Sequence, residues 1–487
     1  MIIADDTPSS PAKAQQPLSA QRGSEGMPPP PAYSGPSTNF ARDPQGYFPR
    51  PSEALLPPVS SSTDEIEPAG RRFFKAFGVA FLIYLLLGLF TRSTIEVAYW
   101  GRGRLARIDL SFQINHDEFG WPLHTDGKVV RCVKGISDWN RVQFEESSTA
   151  SFELPLSADV LYLFARGSLS SGSVTYVQDT DWENNGTVRV DVAAKYGTRA
   201  VLDRVSVCQL ERQEGHSGIG ILSPLNWHTS PFERFVFDVT VYFPISPHIS
   251  PLRIEAFETK LPSFSQRVGD LHGEVVFGTL SLQSSNSHIS AESVYADRAM
   301  IRSSNSAIKG TFHASESLSL VTSNAQIIAN ITLGHNGANS ASTQLTMRTS
   351  NGAIESDVNL ISTSPSYTGG SFNVSARTSN SHLTLDFPQS ALDAHLDVDA
   401  KTSNGLATVS LNRAFEGPFV LQTSSARPIV QFNQHVEDPT DLHRKRALSY
   451  SENTGFVKGE VTWSRPGYRN GGVNVRTSNA PIVFNLL

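Results

Sequence analysis

At 487 residues the chain is longer than a typical single domain, so two or three structural units are expected, with ample length to bury a core. A net charge of −6 over that length gives no global electrostatic reason to invoke nucleic acid. The two cysteines, Cys132 and Cys208, are too few for a disulfide scaffold and, with no CxxC, for a structural zinc site. They leave two readings open: one disulfide in a lumenal or extracellular domain, or two buried thiols.

Fourteen of the 29 prolines fall in the first 70 residues, among Ser, Gly, Gln and Ala and almost without apolar periodicity. Such a stretch cannot bury enough surface to offset its conformational entropy, so residues 1–70 are expected to form a disordered proline-rich tail. Within it Pro30, Pro31 and Tyr33 belong to a PPxY sequence, the polyproline-type ligand of WW domains, which implies a cytosolic WW-bearing ubiquitin ligase as partner. Residues 73–90 read FFKAFGVAFLIYLLLGLF, eighteen positions with one charge, and predict a transmembrane helix. Arg and Lys flank this segment on both sides, so the positive-inside rule does not orient it. The PPxY does, and the expectation is a single-pass protein of the plasma membrane or an endomembrane, N-terminus cytosolic. Sequons at Asn185, Asn330 and Asn373 all follow the apolar segment and are candidate glycosylation sites on the far side.

Beyond the apolar segment, strand signals follow one another with hardly a helical period. Phe235, Phe237, Val239, Val241 and Phe243 alternate with polar or smaller residues until Pro244 ends the run. Phe152 and Leu154, then Val188, Val190 and Val192, repeat the alternation, while residues 160–165 are apolar on both faces like a central strand. Residues 109–267 are therefore expected to be an antiparallel, sandwich-like cap.

The most informative feature lies in residues 268–487. A Ser/Thr-Ser-Asn motif recurs at Asn286, Asn305, Asn324, Asn351, Asn380, Asn404 and Asn479, with a degenerate copy at Ser425. Four and six positions before each Asn the residues are apolar throughout, as with Leu282 and Leu280 or Val475 and Val473; three positions after stands Ile or Leu in most copies. This is strand, polar turn, strand, with period-2 burial on both sides, and Asn suits the turn because its side chain bonds nearby backbone. The first two spacings are 19 residues and later ones lengthen to 27, 29 and 24 through insertions between the second strand and the next coil. Such placement predicts a β-solenoid of about eight coils, with a long insertion near 433–472. An unfolded low-complexity chain has no reason to keep apolar positions in register with the turn. The fold class expected is all-β: solenoid, antiparallel cap, one transmembrane helix and a disordered tail.

The copies RTSNGAI, at Arg348–Ile354, and KTSNGLA, at Lys401–Ala407, resemble the TSNG-type coils of candidate-adhesin β-solenoid domains of unknown function, found in bacteria and in fungal single-pass membrane proteins. The likeness covers roughly residues 235–487 and implies a β-solenoid with a surface role; it brings no catalytic residues and no cofactor. Ser287, Ser306, Ala325, Ser381 and Ala480 stand where the bacterial pattern has Gly.

No column of carboxylates, Walker loop or zinc-protease helix occurs, and a non-enzymatic role is expected; the alternatives are a glycan-acting enzyme whose residues gather from separate coils, and a structural spacer. His288 and His382, two residues after the motif Asn, read as solvent-facing. Three positions before each Asn, where alternation points outward, stand Gln283, Arg302, Val321, Arg348, Arg377, Lys401, Gln422 and Arg476. Stacked at strand spacing, Arg302, Arg348, Arg377, Lys401 and Arg476 would form a basic strip suited to an acidic glycan or protein ligand; the plainer reading is that they keep an exposed sheet soluble. The cluster His443, Arg444, Lys445, Arg446 is expected in a loop open to a dibasic-site protease.

Overall fold

The computed structural model describes residues 120–143, 145–179, 186–226, 234–245, 251–336, 341–463 and 470–487. The tail 1–70 with its Pro30, Pro31 and Tyr33, the apolar run 73–90 and the sequon residue Asn185 lie outside them. Among the described residues no helix is long and apolar enough to cross a membrane. The α-helix Gly135–Asp138 has four residues, against about 20 needed to cross a bilayer core. This corrects the expected fold class, which included a spanning helix: the architecture is all-β. The single-pass membrane localisation that rested on that helix is withdrawn for the same reason.

The strands build two layers that share one apolar core. In the first layer a parallel run passes through His216–Leu222, Val160–Arg166, Leu252–Lys260, Val275–Gln283, the C-terminal halves of Ile289–Arg302 and Ile308–Val321, Thr343–Arg348, Ser371–Arg377, His395–Lys401, Gly471–Arg476 and Gly417–Gln422. In the second layer the matching run passes through Phe235–Phe243, Gly172–Gln178, Phe264–Asp270, the N-terminal halves of Ile289–Arg302 and Ile308–Val321, Ile327–His335, Ile354–Ser362, Leu383–Phe387, Ala407–Leu411, Ile482–Leu486 and Pro428–Phe432. Each coil thus contributes one strand to each layer.

The parallel stack extends past the Ser/Thr-Ser-Asn copies into residues 160–267. The strands Val160–Arg166 and Gly172–Gln178 pair in parallel with Leu252–Lys260 and Phe264–Asp270, so no break in pairing falls at 267/268. Antiparallel strands close this end: Ser206–Glu211 and Lys128–Lys134 on the first layer, Thr187–Tyr196 and Ser147–Pro155 on the second. Cys132 and Cys208 stand opposite each other in that edge pair and are joined by a disulfide.

The motif explains why coils stack in register. Residues four and six before each Asn, and the residue three after, are buried in the shared core, from Leu280 and Leu282 to Val473, Val475 and Ile482. Burying each such Leu, Ile or Val side chain contributes about 1.5–3 kcal/mol. The first motif residue is also buried, and at Ser284, Thr349 and Thr402 its hydroxyl works twice. Thr402 Oγ1 donates to the Ser381 carbonyl of the preceding coil at 2.9 Å and accepts from the Gly405 N–H of its own turn at 3.4 Å. Thr349 does the same with Ala325 and Gly352. The Asn side chains form a ladder on the surface: Asn305 Nδ2 donates to Asn286 Oδ1, and the pattern runs through Asn324, Asn351, Asn380, Asn404 and Asn479 at 2.7–2.9 Å.

Chain order and stacking order differ at the C-terminal end. The final coil, Gly471–Arg476 and Ile482–Leu486, sits between the coil that ends at Leu411 and the coil made by Gly417–Gln422 and Pro428–Phe432. The degenerate copy at Ser425 is therefore outermost. The expected insertion 433–472 contains an antiparallel hairpin, Arg446–Asn453 with Phe456–Trp463, that covers the first-layer edge of this last coil.

Replacing Thr402 by Val keeps the shape but strands a buried carbonyl and N–H, and should cost about 1–3 kcal/mol by urea unfolding. Asn380→Ala breaks ladder bonds that water can replace and should cost less, about 1 kcal/mol at most. If Asn380→Ala proved the costlier, the exposed ladder rather than the buried hydroxyl would set the register.

Candidate functional site

Because register is fixed, the outward row three positions before each Asn is also fixed. Arg348 stands beside Arg377, Arg377 beside Lys401, and Lys401 beside Arg476, on four adjacent coils about 4.8 Å apart. Arg302 belongs to the same row but is separated from Arg348 by Val321, and Gln422 follows Arg476. The row is partly neutralised. Asp399 accepts from Arg377 at 2.7 Å and from Lys401 at 3.1 Å. Burial acts to raise the Asp399 carboxyl, but the bonds from Lys401 and Arg377 outweigh it and hold it below its ordinary range. Among the described residues Arg302, Arg348 and Arg476 form no ion pair; Arg476 Nε donates to Asn474 Oδ1 at 3.1 Å.

Next to Arg476 the layer dips into a groove of about 410 Å³ lined by Asn373, Asp397, Asp399, Pro418, Gly472 and Asn474, among others. Gly472 lies on its wall, where a Cβ would stand 3.7 Å from the Pro418 ring and 3.9 Å from Asp397 Oδ1. Two carboxylates, Asp397 and Asp399, thus share the groove. One is paired with His395 at 3.2 Å and the other with Arg377 and Lys401. A glycosidic general acid needs a carboxyl raised above its usual range, which the depressed Asp399 does not supply. Of the candidate glycosylation residues, Asn373 is exposed on the floor of this groove and Asn330 is exposed on the opposite layer, in Ile327–His335. His288 and His382 are exposed at the turns, and His382 Nε2 lies 2.8 Å from Glu355.

Residues 443–445 lie in a loop as expected, with His443 and Lys445 exposed, but the two arginines of the cluster are held in place. Arg446 opens the strand Arg446–Asn453, is buried, and donates to the Leu487 carbonyl at 2.7 Å. Its guanidinium packs over Phe432 and Trp463, and burial pulls it down to about 10 against the influence of Glu416. Arg444 bonds Asp438 at 2.9 Å and Glu416 at 3.2 Å, and it holds Asp438 well below the ordinary carboxylate range. Glu416 also accepts the Trp463 backbone N–H at 3.0 Å. These residues clamp the hairpin onto the last coil, which a reading of local charge could not reveal.

Sequence reasoning also missed a larger cleft, about 830 Å³, at the corner where coils pass from second layer to first. His272 and His313 stack there with ring centroids 4.0 Å apart and planes within 14°, and Tyr295 lies 6.3 Å from His272. His313 is lowered to about 4, first by burial and then by His272, against a smaller opposing effect of Asp270. No repeated offset from the motif links the three residues, so nothing in the sequence singled them out. Among the described residues no group of three or more His, Cys, Asp or Glu side chains could hold a metal ion.

A family model described as a domain of unknown function, DUF7330, matches residues 298–446. No curated protein matches the chain. Solved structures similar to it include a candidate cell adhesion protein from Clostridium sporogenes, 7% identical over 70% of this chain and 100% of that one, with a TM-score of 0.15. A candidate adhesin from Bacteroides fragilis is 7% identical over 69% and 96%, TM-score 0.23, and one from Parabacteroides merdae 12% identical over 55% and 92%, TM-score 0.19.

Unfolded His takes up a proton near pH 6.5, whereas folded His313 resists until about pH 4. Stability from this site is therefore complete above pH 6.5 and declines as pH falls from there towards 4. A His313→Gln variant should show a flatter fall of melting temperature across that window than the wild type; parallel curves would assign the acid sensitivity elsewhere. For the clamp, limited trypsin digestion should cut the native chain slowly after Arg444 and Arg446. Asp438→Asn, which removes the main anchor of Arg444, should raise the initial rate several-fold, and an unchanged rate would show that the clamp does not protect these bonds.

Proposed function

We propose that the protein is a non-enzymatic surface protein whose β-solenoid presents its first layer to an acidic glycan or other polyanionic ligand, as in adhesion. The observation that carries this reading is the placement of Arg348, Arg377, Lys401 and Arg476 on consecutive coils at strand spacing. A linear polyanion with repeating charge matches such a row, whereas an isolated surface cation would have no periodic partner. The polar residues beside the row, Thr346, Ser375 and Asn474, offer hydrogen bonds to hydroxyls. The plainer role of Arg and Lys, keeping an exposed sheet soluble, predicts no preference among polysaccharides.

Heparin, with dextran as the neutral control, tests this. The full chain should bind heparin with an affinity that falls as salt rises, and should ignore dextran. Charge reversal at two residues without acidic partners, Arg348→Glu with Arg476→Glu, should weaken heparin binding at least tenfold while leaving the melting temperature within a few degrees. Equal binding by the variant would remove the strip as the site. Release of new reducing ends from an acidic polysaccharide, abolished by Asp397→Asn, would instead favour the glycan-acting enzyme.

A further inference from the structure

The corner cleft differs from the strip in chemistry, and it has a structural origin. The strands Ile289–Arg302 and Ile308–Val321 run without interruption from the second layer to the first, so their corners are flush. After Ile327–His335 the next strand starts only at Thr343, consistent with the spacing of 27 between Asn324 and Asn351. The step between a flush corner and a longer one leaves the recess. Its floor is made by mid-strand residues of Ile308–Val321, including His313, Ser315 and Ser317. Gln344 and Thr363 stand on the far side, and His272 and Tyr295 on the near side.

We infer that this cleft is a second binding site, for an uncharged saccharide. His272 is exposed and lies flat on His313, which gives a ring platform of the kind that packs against the C–H face of a sugar. The floor and rim carry hydroxyl and amide groups from Ser317, Ser342, Gln344 and Thr363, suited to sugar hydroxyls. Glu316 is the only acidic side chain among the described lining residues, and Arg298 neutralises it at 2.5 Å. His313 stays uncharged above about pH 4. With Glu316 paired and no Lys or Arg among the described lining residues, the cleft lacks the row of fixed positive charge that the strip offers a polyanion, and the inference stands without the reading proposed for that strip.

The test uses the full chain and isothermal titration calorimetry with laminarihexaose, chitohexaose and mannohexaose. At least one should bind with a sub-millimolar Kd. His272→Ala removes the exposed ring and should weaken that binding at least tenfold. Gly334→Leu fills the recess instead: a Cβ at Gly334 meets nothing closer than 3.9 Å, so the side chain can grow into the cleft without displacing backbone. It too should weaken binding at least tenfold, while Arg348→Glu with Arg476→Glu should leave it unchanged. Failure of all three sugars to bind overturns the inference, as does wild-type affinity in both cleft variants. Loss of binding in the strip variant alone would also overturn it, by moving the sugar to the other face.

Discussion

The structure depends on one hydrogen-bonding arrangement, the buried hydroxyl at the start of each turn. A turn that enters the core must satisfy its own N–H and must also meet the carbonyl of the coil beneath it, in a place water does not reach. A single hydroxyl can donate once and accept at the same time, so Thr349 and Thr402 meet both demands with one side chain. The contact fixes how far one coil can slide over the next. Since a slip of one residue would exchange the inward and outward faces of every strand, this register protects the whole core.

From fixed register the surface follows. A row of outward residues is as ordered as a row of inward ones, so the ladder of Asn amides and the row of Arg and Lys are two consequences of the same constraint. The Asn ladder is exposed and each bond competes with water, so it adds little by itself. Its regularity reports the register more than it creates it. The basic row is different, because like charges at strand spacing repel and are tolerated only where something offsets them. Asp399 does this between Arg377 and Lys401. Arg348 and Arg476 have no acid paired with them among the described residues, so their charge is not offset in the same way.

The part of the fold that was legible is the part written in the motif. Apolar residues at fixed offsets from Asn286 to Asn479 told which side chains face inward, and the same offsets placed the basic row. Coils without the motif were not legible as coils. Val160–Arg166 and Gly172–Gln178 turn through Gly167, which adopts a positive φ of 108°, and carry no Ser-Asn signature, so their parallel pairing could not be told from an antiparallel sandwich. The expected spanning helix came from hydropathy alone, a signal that describes a segment's composition and not its surroundings. His272, Tyr295 and His313 come from three coils at a corner, where spacing varies and periodicity fails.

The degenerate copy at Ser425 shows how stacking order can be read back into sequence. Taken in chain order it looks like a weakened repeat within the array, between Asn404 and Asn479. In space Asn479 bonds Asn404 directly, and the Ser425 turn lies beyond both, with its backbone N–H on the Ser478 carbonyl. The outermost turn has no further coil to donate a ladder bond to it, so an Asn there would keep only the bond it donates to Asn479 and would have less to do than the amides of the inner turns. Loss of Asn at the end of the stack is thus expected on physical grounds, and the covering hairpin, clamped by Arg444 and Arg446, supplies the closure that another coil would have provided. The same reasoning assigns the exposed second-layer strand Pro428–Phe432 its protection: it is short, begins with Pro, and so offers few backbone groups to an incoming strand.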